Sequence, residues 1–249
     1  MSQSSLEFQN ALTEPNQPGD FLEPGNAQPE EGVRGGSRPS AEAFGGLDGS
    51  SFWNRFAAFY DLATASGDEG LEEAIDYVAS FIGPYDVVLD AACGTGAFAC
   101  GVAPHAGFVA ACDYADKMVE QTKRKARRMG LDNLACGLGN LCALDFADDS
   151  FDAAIAGNVL HLLVEPRQAV SELSRVTKPD GFIIIPNYLN AEEENRRFLR
   201  LIEAFGFRTV NEWDEESFLS FLGSCGLELI DHRSFQAKQP LCVAVCRTV

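Results

Sequence analysis

The sequence is poor in positive charge. Nineteen Lys and Arg stand against 37 Asp and Glu in 249 residues, a net charge of −18. A surface that negative repels phosphate backbones and anionic bilayers, so general nucleic-acid binding and membrane adsorption are disfavoured. No uncharged apolar run approaches the roughly 20 residues that span a bilayer. The opening MSQSSLEFQN has neither the basic nor the apolar region of a secretory signal. None of the eight cysteines forms a C-x-x-C pair. Zinc-ribbon spacing is therefore absent, no metal is expected, and the thiols read as reduced ones in a cytoplasmic protein. Histidine is scarce, at three, and no internal repeat is found. The rest is ordinary for a globular chain: 46% hydrophobic and 22% charged, in a length that can bury a sizeable core.

Composition divides the chain. Residues 1–47, rich in Pro, Gly, Glu and Ser without apolar periodicity, are expected to form a disordered leader. Residues 48–83 read as a helical cap. Phe52, Phe56 and Phe59 share a stripe with Trp53 and Tyr60 beside it, and a second helix carries Leu71, Ile75, Val78 and Ile82 before Gly83-Pro84 stops it. Over 84–249 strands alternate with helices, which implies a Rossmann-like, doubly wound α/β domain. Its strands read as YDVVLDAA, GFVAACD, LACGLGN, FDAAIAGN, GFIIIPNY, LELIDHRSF and PLCVAVCRTV. The seven-stranded sheet is expected to be mostly parallel with helices on both faces. Its last two strands, joined only by AKQP, must pair antiparallel, because a parallel crossover needs a dozen residues or more.

The chemistry concentrates in VVLDAACGTGAFA, residues 87–99: a strand, a glycine turn and a helix start. Gly94 and Gly96 let the backbone turn tightly and approach a ligand. Taken alone, residues 94–99 fit the G-x-G-x-x-A dinucleotide pattern, and a turn without ligand gives the same letters. Two acids alter that reading. Asp90 precedes the glycine turn, where a carboxylate repels a pyrophosphate and suits an ammonium. Asp113 ends the second strand, where a carboxylate binds ribose hydroxyls or caps the next helix. An acid for a ribose and one for an ammonium describe S-adenosylmethionine better than NAD.

Five segments, in order, resemble the class I S-adenosylmethionine-dependent methyltransferases of the ubiquinone/menaquinone-methyltransferase-like (type 11) group. They are WNRFAAFYD (53–61), VLDAACGTG (88–96), CDYADKM (112–118), GNLCALDFADDSFDAAIAGNVLHLL (139–163) and RVTKPDGFIIIPNY (175–188). The resemblance covers about residues 50–249. It departs from the family where Ala92 stands for a frequent Gly, where Asn140 replaces the Asp that meets the adenine amino group, and where Asp145 replaces a proline.

The resemblance implies a role for each matching residue. Asp90 and the backbone of Ala92, Cys93, Gly94, Thr95 and Gly96 hold the methionine moiety, and Asp113 holds the ribose. Tyr114 or Met118 flanks the adenine, Asn140 and Leu141 meet its edge, and Asn158 faces the cofactor. His161 is the best candidate base, with Tyr60 as a latch over the methyl donor; a structural histidine and a packed tyrosine are the plain alternatives. The cysteines at 93, 100, 112, 136 and 142 cluster near this region without a ligand spacing, and the basic run Lys123–Arg128 reads as a solvated helix face. The implied activity is in-line methyl transfer to a small-molecule acceptor. A non-catalytic S-adenosylmethionine-binding regulator and an NAD(P)-dependent oxidoreductase are the alternatives.

Overall fold

The computed structural model describes residues 68–190 and 210–248. The expectations placed on residues 1–47 and on the aromatic helix that contains Tyr60 lie outside the described residues, as does the helix that the pattern of AEEENRRFLRLIEAFG predicts over 191–206. Helix α1 (Glu69–Ala79) begins where the Asp68 carboxylate accepts the Leu71 N–H, an N-cap arrangement. Its pattern predicts a helix to Ile82, yet it ends at Ala79. Pro84 disfavours helical backbone at Gly83, and the Gly83 N–H donates to Asp86 instead, at 2.7 Å.

Eleven further elements follow: β1 (Val87–Ala91), α2 (Ala97–Val102), β2 (Phe108–Asp113), α3 (Asp116–Met129), β3 (Leu134–Leu138), β4 (Phe151–Ile155), α4 (Pro166–Val176), β5 (Thr177–Tyr188), α5 (Glu215–Ser224), β6 (Leu227–Gln236) and β7 (Pro240–Thr248). The sheet has seven strands in the order β3-β2-β1-β4-β5-β7-β6. The first five run parallel, and β7 lies antiparallel between β5 and β6. The doubly wound, mostly parallel sheet with an antiparallel C-terminal strand is thus the observed architecture.

Alternation along buried strands feeds two cores. Val88, Ile155, Ile184, Val243 and Val245 face α1, α2 and α3. Leu89, Ala154, Ile183, Ile185, Cys242 and Cys246 face α4 and α5. Cys242 and Cys246 share one face, as their even spacing requires, and both are fully buried. Helix α1, read from sequence as part of a cap, sends Leu71, Ala74 and Val78 into the first of these cores.

Strand β5 starts earlier than GFIIIPNY predicts. It pairs Phe151 with Thr177, then Ala153 with Phe182, so Lys178–Gly181 bulge out of register. The turn letters K-P-D-G are real, but they make a bulge inside a strand rather than its boundary. Strand order reverses between β1 and β4. In an open parallel sheet a ligand crevice forms at that point, outside the strands' carboxyl ends.

Candidate active site

A cavity partly open to solvent lies over those carboxyl ends. Ala92–Thr95, Ala97 and Phe98 line it after β1, without Gly96; Asp113, Tyr114 and Met118 line it after β2, Gly139–Cys142 after β3, and Gly157–Val159 after β4. Tyr188 closes one side from β5 and Leu71 another from α1.

The turn after β1 is shaped by left-handed backbone: φ is 62° at Ala92, 55° at Gly94 and 78° at Gly96. A Cβ on Gly96 would stand 2.8 Å from Thr122, whereas one on Gly94 would meet nothing within 4 Å. Gly94 lines the cavity, so that open space is a cradle that a side chain would fill. The turn is anchored from β2 and α3. The Gly94 N–H donates to Asp113 Oδ2 and the Thr122 hydroxyl donates to the Gly94 carbonyl, both at 2.8 Å. The Cys93 N–H donates to the Cys112 carbonyl at 2.9 Å.

Asp113 also accepts the Ala115 N–H through Oδ1, at 2.9 Å. The Tyr114 N–H acts on the same carboxylate, so one of its four acceptor positions is left for a ribose hydroxyl. Burial raises its pKa to about 6, against the lowering effect of the Ala115, Gly94 and Tyr114 N–H groups. Asp113 does not cap α3, whose N-cap is Ala115.

Asp90 sits deeper. It is 1% exposed, accepts the Ala99 N–H at 2.8 Å and is absent from the cavity lining. Burial lifts its pKa to about 7; the Ala99 N–H opposes the rise and the Asp113 charge adds to it. Its Oδ1 is buried without a partner. Its observed contact therefore ties β1 to the start of α2.

Asn140 Oδ1 accepts the Cys142 N–H at 3.0 Å, closing a tight local turn. One lone pair of that oxygen is used there, so toward a purine edge Asn140 offers one remaining acceptor position and the two amide hydrogens. Asn158 has φ 56° and donates its N–H to the Pro186 carbonyl at 2.7 Å. Its Oδ1 is buried without a partner at the cavity wall, a polar atom left over for a ligand donor.

His161 is placed differently from the other candidates. Its ring is buried and does not line the cavity, although its neighbours Leu162 and Leu163 do. Nδ1 lies 3.2 Å from Asn187 Oδ1. Burial lowers its pKa to about 4 despite that bond, so the ring is neutral near pH 7. His105 and His232 are exposed, as sequence position suggested.

Among the cysteines, Cys93 and Cys142 line the cavity, while Cys100, Cys112 and Cys136 are buried in the core. All eight are free thiols, and among the described residues no group of three or more ligand-type side chains is arranged to hold a metal ion. Sequence reasoning missed Thr122, Asn187, Tyr188 and the cavity face of Leu71. Tyr188 could have been found, because it stands at the carboxyl end of a strand, β5. Thr122 and Asn187 act through contacts 28 and 26 residues away in sequence, which no local pattern carries.

Residues 89–185 match a methyltransferase-domain family model. The chain is 31% identical over 170 residues to a demethylmenaquinone methyltransferase of Clavibacter sepedonicus, a match covering 60% of this chain and 69% of that protein. The chain belongs to the class I S-adenosylmethionine-dependent methyltransferases of the ubiquinone/menaquinone-methyltransferase-like group. A Paenarthrobacter aurescens protein of the same name is 42% identical over 101 residues, covering 41% of this chain but only 38% of its own length. The solved structure of a SAM-dependent methyltransferase from Aquifex aeolicus has the same fold, with TM-score 0.59 and 18% identity over 80% of this chain and 98% of that one.

This methyltransferase uses S-adenosylmethionine as its cofactor. The cavity fits that group on its own evidence: a glycine cradle at Gly94, a ribose-type carboxylate at Asp113 and an orphan acceptor at Asn158.

Proposed function

We propose that this methyltransferase alkylates a small, largely apolar acceptor of quinol type. The observation that carries the reading is the convergence of the Gly94 cradle, Asp113 and Asn158 on one cavity whose remaining wall is apolar, with Leu71, Val159, Leu162, Leu163 and Tyr188. The names of the relatives support the acceptor class. Bound cofactor supplies a methyl carbon on a sulfonium, which leaves as a neutral thioether. Asp113 holds the ribose, Tyr114, Met118 and Leu141 pack the adenine, Asn140 meets its edge, and the Gly94–Gly96 backbone with Asn158 holds the methionine end. Asp90 supports these groups from below by fixing the start of α2. The apolar wall excludes water and aligns the acceptor atom with the methyl carbon, an orientation worth roughly 7–11 kcal/mol.

An acceptor hydroxyl or activated carbon must lose a proton as it gains the methyl. His161, neutral and next in sequence to the cavity-lining Leu162, is the group proposed to take it, an effect of about 10²–10⁴-fold. Tyr60, on the family's entrance motif, is proposed to share that task. Among the described residues no helix is long and apolar enough to cross a membrane, which agrees with a cytoplasmic enzyme.

Calorimetric titration with S-adenosylmethionine and S-adenosylhomocysteine tests the site, on wild type and Asp113→Ala. Both ligands bind the wild type, and the variant loses at least tenfold in affinity. Equal affinity in the variant overturns the assignment of Asp113. Methyl transfer to a reduced, short-chain demethylmenaquinone then tests the acceptor class, and its absence alongside tight cofactor binding rejects a quinol.

A further inference from the structure

We propose that Asn187 is a positioning residue for methyl transfer, holding the His161 ring with its proton on Nδ1 so that Nε2 keeps the lone pair. The inference rests on the reading of His161 as proton acceptor and adds the group that sets its tautomer.

The argument starts from the amide. Asn187 lies near the end of β5, pairs with Cys242 on β7 and is fully buried. Its Nδ2 donates to the Tyr188 carbonyl at 2.8 Å. A carbonyl only accepts, so the amide cannot be turned around without setting two oxygens against each other. Oδ1 is thereby aimed at His161, where it meets Nδ1 at 3.2 Å. An amide oxygen also only accepts, so Nδ1 must be the protonated nitrogen. A neutral imidazole carries one proton, and Nε2 is left as the acceptor. His161 itself is pinned by its main chain, whose carbonyl accepts the N–H groups of Val210 and Asn211 at 2.9 and 3.0 Å.

The choice of an amide matters. A carboxylate at this place would fix the same tautomer but also stabilise the imidazolium. Among the described residues, this ring or its main chain meets Asn187 and Tyr188 on β5 and the backbone of Val210 and Asn211, none of them charged. Asn187 therefore orients the ring without a counter-charge, and the base stays unprotonated until the acceptor delivers its proton.

The test is nitrogen NMR on the full chain labelled at histidine, with the His161 signals assigned by His161→Gln. In the wild type His161 is expected as the neutral, Nδ1-protonated tautomer from pH 6 to 8. Asn187→Leu removes the acceptor and should move the ring toward the Nε2-protonated form, with kcat for the reduced demethylmenaquinone falling at least tenfold and cofactor affinity changing less than twofold. Asn187→Asp keeps the volume and an acceptor toward Nδ1, and its second oxygen, protonated, still donates to the Tyr188 carbonyl, so the Nδ1-protonated tautomer should be retained. An Nε2-protonated wild type, or an unchanged tautomer in Asn187→Leu, overturns the proposal. If the Leu variant does not fold, loss of the Nδ1-protonated form in Asn187→Asp does the same. A tautomer that moves while turnover does not also overturns the positioning role, and leaves the methyltransferase assignment intact. A wild type that binds no cofactor refutes the functional reading and with it the role in methyl transfer, while the tautomer measurement still decides whether Asn187 sets the His161 proton.

Discussion

Ala92 carries a cost that its neighbours avoid. An L-residue at φ 62° crowds its Cβ against the following carbonyl, at roughly 1–2 kcal/mol. Replacing it with glycine relieves that strain but gives the unfolded chain more freedom, which returns about 0.4–1 kcal/mol. Ala92→Gly should raise unfolding stability by about 0.5–1 kcal/mol in urea titrations, and a loss of stability would refute the strain. Asp113 makes a second residue-level prediction. Burial pushes its carboxyl up to about 6, and ribose hydroxyls are proposed to donate to its ionised form. Lowering the pH from 7.5 to 5 leaves about one tenth of it ionised, so cofactor affinity should weaken about tenfold. Affinity that is flat over this range would show that Asp113 does not bind as a carboxylate. The acid pair Asp90 and Asp113 was legible from sequence because both end strands before turns. Their division of labour was not, because burial and the Ala99 bond decide it.

Helix α4 shows how an element builds a loop. Gln168, Glu172 and Arg175 stand at i, i+4 and i+7, on one face. Gln168 donates to the Cys142 carbonyl at 2.8 Å, and Glu172 accepts the Leu144 N–H at 2.7 Å. The Arg175 guanidinium donates to the carbonyls of Phe146 and Leu144 and to Glu172 and Asp148, all between 2.7 and 2.9 Å. This one stripe holds the main chain of residues 142–148, next to Asn140 and Leu141 of the cavity. Nothing in it touches the Asp145 side chain, and the structure gives no account of that exchange. Arg175→Ala should weaken cofactor binding several-fold and lower the melting temperature. Arg175→Lys should restore little, because an ammonium cannot replace the planar fork. Full affinity in Arg175→Ala would show that the loop holds itself. Strand and helix identity were legible because buried strands and amphipathic helices have distinct periods. The start of β5 was not, because a bulge and a turn are written in the same residues.

Across the whole molecule, negative charge far exceeds positive, at −18. Like charges crowded onto a compact body favour expansion. Raising sodium chloride from about 0.02 to 0.5 M shrinks the screening length several-fold and should raise the melting temperature by a few degrees. A falling melting temperature would mean that specific ion pairs, not repulsion, dominate. The architecture as a whole was legible from the alternation of strands and helices and from the AKQP connection. The two-sided core followed from the same pattern, while the anchoring of the glycine turn by Thr122 is a tertiary contact that the pattern does not encode.

The position of β7 has a consequence for how the chain is made. It is synthesised after β5 and β6, yet it lies between them. Every described residue of the cofactor cavity, from Leu71 to Tyr188, is synthesised before it. Until residues 240–248 emerge, the apolar run Ile183–Tyr188 has an open edge, the kind of surface on which nascent chains associate. A chain stopped at residue 239 would carry the described binding loops and still be expected to precipitate, because β7 is the strand that covers this edge of β5.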